Sequence, residues 1–296
     1  MGTREQFAAT VADLVETDLS VALVYAEISG QFFGAVERAH PDRVINVGIR
    51  EQLLVNVGAG LALTGMRPVV HTFSSFLVER AFEQIKLGFG HQGVGGVLVG
   101  SGGSFDVSSG GRTHQSPGDV ALMATLPGVH IHAPGTAAET DAVLRRAVAD
   151  DGLHYVRVVG QTNTDSFAAG PRLHVVRRGA GPTVVALGPV LDEVLAAVAG
   201  LDATVVYTAS VRPFDARGLR EVAGSDVVLV EPWLAGTSAY AVSEALADRP
   251  HRLLSLGVGS TELRRYGKPR EHIAAHGLDA AGIRASIDRF LLARAA

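Results

Sequence analysis

Short runs of β-branched and apolar residues recur along this chain, each followed by a longer stretch with apolar residues at helical spacing. This alternation constrains the fold most, because strands joined through helices lie parallel, with helices covering both faces of the sheet. Residues 23–25, 44–47, 69–71, 97–99, 129–132 and 155–159 read as buried strands. Residues 4–17, 50–63, 77–89, 116–126 and 137–149 read as helices, the last opened by a capping box from Thr136 to Glu139. A turn-rich stretch, GQTNTDSFAAGP at 160–171, interrupts the pattern. A second series follows, with strands at 183–187, 203–207, 227–231 and 252–256 and helices at 190–199, near Asp215 and at 238–246. The tail 279–295 puts Ile283, Ile287, Phe290 and Leu291 at helical spacing. The expected fold class is α/β: two consecutive doubly wound domains, 1–168 and 169–296, each a mainly parallel sheet flanked by helices.

A length of 296 residues suits two domains, since single cores rarely grow beyond about 250–300 residues. The net charge is −4 and no basic run exceeds two arginines, so there is no electrostatic case for nucleic acid. Cysteine is absent, which excludes disulfides, thiolate metal sites and a cysteine nucleophile. The first residues lack the basic-then-apolar order of a signal peptide. No apolar window reaches the roughly 18 residues a membrane span needs. The expectation is a cytoplasmic protein.

Glu51 lies in VINVGIREQLLVNVGAGLALTG (44–65), where a glycine-flanked strand turns into a helix. Acids are favoured in a first turn by the helix dipole. A carboxylate inside an apolar helix start is nevertheless rarely buried unless paired or put to use. Gly58 and Gly60 remove bulk from the same helix, which suits close approach by another chain or a cofactor. Downstream, HTFSSFLVERAFEQ (71–84) places Phe73 and Phe76 between a strand and a helix. An acid with two rings can stack a flat heterocycle and bond its ring nitrogen. His114 ends a glycine-rich stretch, SGGSFDVSSGGRTHQ (101–115), which reads as a mobile substrate loop. That loop lacks a Gly-Lys-Ser/Thr ending, and the 58–65 glycines fall within a helix, so neither is a nucleotide fingerprint. His71, His91, His130 and His132 read as structural. His130 and His132 are expected on opposite sides of their strand, with no metal site.

VINVGIREQ, HTFSSFLVERAFEQIK and GGRTHQSPGDVALMATLPGVHIHAPGTAAE, in that order, resemble the C-terminal half of transketolases. SVRPFDARGL and REHIAAHGLDAAGI resemble the C-terminal domain of the same superfamily. The resemblance implies a thiamine diphosphate-dependent transferase. In that family a glutamate, matched here by Glu51, bonds N1′ of the cofactor's aminopyrimidine and favours its imino tautomer. Such a bond shares a proton, so the carboxyl must be desolvated against the pull of the helix dipole. Phe76 matches the ring stacked on the pyrimidine, Phe73 one lining the same pocket, and His114 a histidine that contacts donor-sugar hydroxyls. Glu51 and His114 are therefore the implied catalytic pair, with Glu51, Phe73 and Phe76 binding cofactor.

The family's Gly-Asp-Gly…Asn motif, which binds diphosphate through Mg2+, has no counterpart here. The implied protein is the C-terminal subunit of a split transketolase, moving a two-carbon ketol unit from a ketose to an aldehyde. Its partner would be an N-terminal transketolase subunit carrying the diphosphate-binding domain and Mg2+, in an α2β2 heterotetramer. Gly160, Gly103 and Gly110 stand where relatives acting on sugar phosphates carry two arginines and an acid. Arginine suits phosphate because its fork makes bidentate charged bonds. Arg112 and Arg157 are the candidate substitutes for substrate binding. The alternatives are a 2-oxoacid dehydrogenase E1 β subunit, a deoxyxylulose-phosphate-synthase-like enzyme, or a noncatalytic scaffolding or regulatory partner. The Thr-His-Gln loop favours the transketolase, and the joint presence of Glu51, Phe76 and His114 argues against a noncatalytic role.

Overall fold

A computed structural model describes residues 1–293. The strands are β1 (Val21–Tyr25), β2 (Val44–Asn46), β3 (Arg67–Phe73), β4 (Gly96–Ser101), β5 (His130–His132), β6 (Leu153–Val158), β7 (His174–Arg177), β8 (Thr183–Leu187), β9 (Thr204–Thr208), β10 (Ser210–Arg212), β11 (Asp226–Leu234) and β12 (Arg252–Val258). They form two sheets, ordered β10-β5-β6-β4-β3-β1-β2 and β12-β11-β8-β9-β7. Every pairing is parallel except β10 with β5 and β7 with β9. The architecture is α/β with mostly parallel sheets flanked by helices, as the alternating pattern requires. β1 and β8 are buried along their whole length. Burial on both faces explains why they read as near-continuous apolar runs rather than alternating ones.

Helix Thr3–Thr17 lays Phe7, Val11, Leu14 and Val15 against the first sheet. Thr136 accepts a bond from the Glu139 amide at 3.2 Å and so caps helix Ala137–Ala149. Glu139 does not close the box on Thr136. Its Oε2 accepts from the Gly135 amide and from the Tyr207 hydroxyl on β9, and this buried carboxylate thereby ties the two sheets together. The C-terminal helix, Ala280–Leu292, is capped by Asp279 and buries Ile283 and Ile287. Residues 294 and 295 of the expected tail lie outside the described residues.

Two expected helices take a different form. The helix expected over 77–89 is instead two π-helical segments, Ser75–Arg80 and Ile85–His91, flanking the short helix Phe82–Gln84. Ala81, at φ −114° and ψ 21°, breaks the regular ladder between them. Wide turns of this kind recur at functional sites. The helix expected over 116–126 shrinks to Asp119–Met123, because Pro117 and Gly118 precede it. The short strand β10 was not visible in the sequence. It crosses from the second half of the chain to pair with β5.

Glu231 on β11 has no solvent exposure and accepts bonds from Trp233 Nε1 at 2.7 Å and the Ser238 amide at 3.1 Å. Burial nonetheless pushes its carboxyl up to about 7. The folded protein therefore holds a proton there that the unfolded chain has released, so stability falls as pH rises from 4.5 through about 7. The full loss is on the order of 3 kcal/mol. Glu231→Gln should flatten the denaturation midpoint across that window; an unchanged slope would put the effect elsewhere.

Candidate active site

Glu51 is the first residue of helix Glu51–Leu63 and is only 2% exposed. Its Oε2 accepts from Arg80 Nη1 at 2.7 Å, and the arginine side chain is 41% exposed. The Arg80 guanidinium also sits 4.0 Å from the centroid of the Phe76 ring. A planar, N–H-bearing group thus stacks on Phe76 while bonding the buried carboxylate. Those are the two contacts an aminopyrimidine needs, so the residues present fit that end of thiamine diphosphate. Arg80 is the residue sequence reasoning missed. Its signal was its place four residues after Phe76, close enough along a helical turn for the two side chains to meet.

Phe73 ends β3 and Phe76 is the second residue of the following π-helical segment, with ring centroids 5.9 Å apart and edge-to-face. The His114 ring completes a triangle, 5.6 Å from Phe73 and 5.0 Å from Phe76. Thr113 Oγ1 lies 3.0 Å from His114 Nδ1. The structure therefore gathers Glu51, Phe73, Phe76 and His114, far apart in the sequence, into one cluster.

The loop carrying His114 is held from the second sheet's side of the molecule. Gln115 Nε2 donates to the Arg265 carbonyl at 3.1 Å and Ser108 Oγ to the Gly267 carbonyl at 2.8 Å. Arg112 Nε faces Glu262 at 3.6 Å. Arg112 is exposed at the cluster's edge, next but one to His114.

Arg157 is not brought to the cluster's surface. It is 2% exposed, and its Nε donates to Asp119 Oδ2 at 2.8 Å and its Nη2 to Ser104 Oγ at 2.6 Å. Tyr155 adds its hydroxyl to the same Asp119 oxygen at 2.9 Å. The expected substrate role of Arg157 is thus corrected: its buried guanidinium bonds through Nε and Nη2 inside the protein, bracing the end of β6 and the glycine-rich loop.

The three glycine departures each make room for a neighbour. A Cβ at Gly103 would collide with the Arg157 guanidinium, one at Gly110 would come within 2.6 Å of the His114 ring, and one at Gly160 within 2.9 Å of Asp106 Oδ1. On the Glu51 helix, Gly58 packs inward against Val70 and Phe89, whereas Gly60 faces open space. Only Gly60 is therefore available for close approach by another chain. Ile49, Leu53, Leu63 and Leu87 are exposed.

His71 is a core residue, bonded to Ser29 Oγ and the Val99 carbonyl, and burial pushes it down to about 3. The expectation that His130 and His132 face opposite ways is overturned. Residues two apart on a strand share a face, and these two meet His154 of β6, with one ligand atom from each of the three rings lying within 4.8 Å of the others. Burial holds His132 down to about 3, so its ring is neutral near pH 7.

A buried helix-start glutamate thus stands beside three edge-to-face rings in an α/β chain, an arrangement suited to a flat nitrogen heterocycle. Residues 1–162 match the family described as "Transketolase, pyrimidine binding domain". The chain is 47% identical over 291 residues to an "Uncharacterized 33.6 kDa protein in fasciation locus" of Rhodococcoides fascians, covering 96% of this chain and 93% of that one. It is 30% identical to a 6-deoxy-6-sulfo-D-fructose transketolase subunit of Clostridium sp. (strain MSTE9), over 79% of each chain. A solved structure titled "Split gene transketolase, inactive beta4 tetramer" superposes with a TM-score of 0.86 at 28% identity, over 98% of both chains. Against 1-deoxy-D-xylulose-5-phosphate synthases the chain spans about half their length, 48% of the Leptothrix cholodnii protein at 33% identity. The chain belongs to the transketolase family, within the thiamine diphosphate-dependent superfamily. Among the described residues no helix is long and apolar enough to cross a membrane.

Proposed function

We propose that this chain is the C-terminal subunit of a split transketolase, transferring a two-carbon ketol unit when joined to an N-terminal subunit. The observation that carries the reading is the Arg80 guanidinium seated on Phe76 and bonded to buried Glu51. Thiamine diphosphate, when bound, supplies the carbon nucleophile that cleaves and forms the bond beside a ketone. Glu51 would hold the shared proton at the pyrimidine nitrogen, in a site its burial keeps dry. Phe76 and Phe73 would wall the ring, and His114 would bond donor hydroxyls beside it. Arg80 would have to yield its place on Glu51, and its half-exposed stem leaves it free to swing outward.

Diphosphate and Mg2+ are assigned to the partner. The exposed Ile49, Leu53, Leu63 and Leu87 and the bare Gly60 offer an apolar face of the kind that marks protein contacts. The relative whose title reads "inactive beta4 tetramer" supports a requirement for a second subunit, and an α2β2 assembly is the arrangement proposed. The test is to purify the chain with the N-terminal transketolase subunit, add thiamine diphosphate and Mg2+, and assay ketol transfer from hydroxypyruvate. Turnover should need both chains. Calorimetry on this chain alone should detect no cofactor binding, and micromolar binding without a partner would refute the divided site.

A further inference from the structure

We infer that His130, His132 and His154 form a binding site for a divalent transition-metal ion, Zn2+ by preference, at the junction between the two halves of the chain. His130 and His132 stand on one face of β5, and His154 is the direct register partner of His130 on β6. His132 Nε2 and His154 Nδ1 point at each other, 3.1 Å apart. Zinc binds imidazole nitrogen at about 2.0–2.1 Å, which sets neighbouring ligands of a tetrahedron roughly 3.3 Å apart. The observed pair is thus already near ligand spacing. The His130 ring stands edge-on to His154 with centroids 4.5 Å apart, and among the described residues it makes no hydrogen bond.

Two of the three outer nitrogens, those of His154 and His132, are anchored as metal-bound histidines require. His154 Nε2 donates to Asp150 Oδ1 at 2.9 Å, and His132 Nδ1 lies 3.2 Å from Ser210 Oγ. A carboxylate or hydroxyl on the far nitrogen fixes the tautomer and turns the near lone pair toward the ion. With His154 donating to Asp150, its Nδ1 carries a lone pair, and the gap to His132 is filled by one proton or by a metal ion. A cavity of about 130 Å³ opens beside the rings, bounded also by Arg146 and Pro213. It has room for a water or an anion as a fourth ligand. Asp150 and Arg146 offset each other in charge, and three imidazoles are a donor set that suits zinc, copper or nickel over magnesium or calcium. Because Ser210 belongs to β10, an ion here would fasten the second half of the chain to the first sheet.

The test uses the untagged full-length chain, stripped with a chelator and dialysed against ZnCl2, with metal content read by atomic emission. One zinc per chain is expected, together with a rise in unfolding temperature. His130→Ala, which sacrifices no hydrogen bond, should lose the zinc while keeping its circular dichroism spectrum. Ser210→Ala should weaken binding about 10- to 100-fold. The His91→Ala control, at an exposed histidine outside the trio, should bind as the parent does. No zinc on the parent chain, or undiminished zinc on His130→Ala, would show that the trio is only a proton-bridged histidine pair with a neighbour.

Discussion

Glu51→Gln in the assembled enzyme should lower ketol transfer by about 10²–10⁴-fold, the usual contribution of a positioned proton-sharing group. The amide has nearly the shape of the carboxyl and can still accept from Arg80, so the helix start and the complex should survive. What it lacks is an acidic oxygen able to share a proton with a ring nitrogen. Size-exclusion chromatography should show the same assembly as the parent, and steady-state kinetics should show the loss in kcat. Full turnover by an intact Glu51→Gln complex would remove Glu51 from the mechanism.

Asp119→Ala should destabilise the chain by about 3–5 kcal/mol, because it strands the Arg157 charge in the protein interior. Both side chains are essentially without solvent, at 2% for Arg157 and 0% for Asp119. Ser104, the Trp233 ring 5.8 Å from the guanidinium and the more distant Asp106 carboxylate remain, but none replaces the direct ion pair. Removing both charges together, as Asp119→Leu with Arg157→Met, should restore much of the loss, since a well-packed apolar pair often replaces a buried ion pair at little cost. The midpoint of urea denaturation reads both variants. Equal midpoints for the parent and Asp119→Ala would mean that the pair contributes nothing. Because Ser104 and Asp119 flank the loop that carries His114, the single variant should also weaken substrate use more than the double one.

Much of the fold was legible because a strand buried on both faces is apolar over most of its length, as the Val- and Leu-rich runs of β1, β4, β8 and β11 are. The helix start at Glu51 and the cap at Thr136 were legible because the signals that open a helix are local. The π turns after Phe73 were not, since apolar spacing in so short a stretch does not distinguish them from an α-helix. β10 escaped for a different reason. Its three residues have no pattern of their own, and their strand conformation comes from pairing with β5. For His130 and His132 the sequence did hold the answer, as a spacing of two places them on one face; the third member, His154, needed the register of β6 on β5.

By itself the sequence determined the α/β class, the acid at the head of a helix, and the pair of phenylalanines that follows, because each depends on residues adjacent in the chain. Only the tertiary structure decided which distant groups share a charge or a ligand. It put Arg80 on Glu51, buried Arg157 against Asp119, and closed three histidines around one point. Side-chain pairing across 20 to 40 positions depends on strand register and helix orientation, and those are fixed by packing of the whole core rather than by any local run of residues.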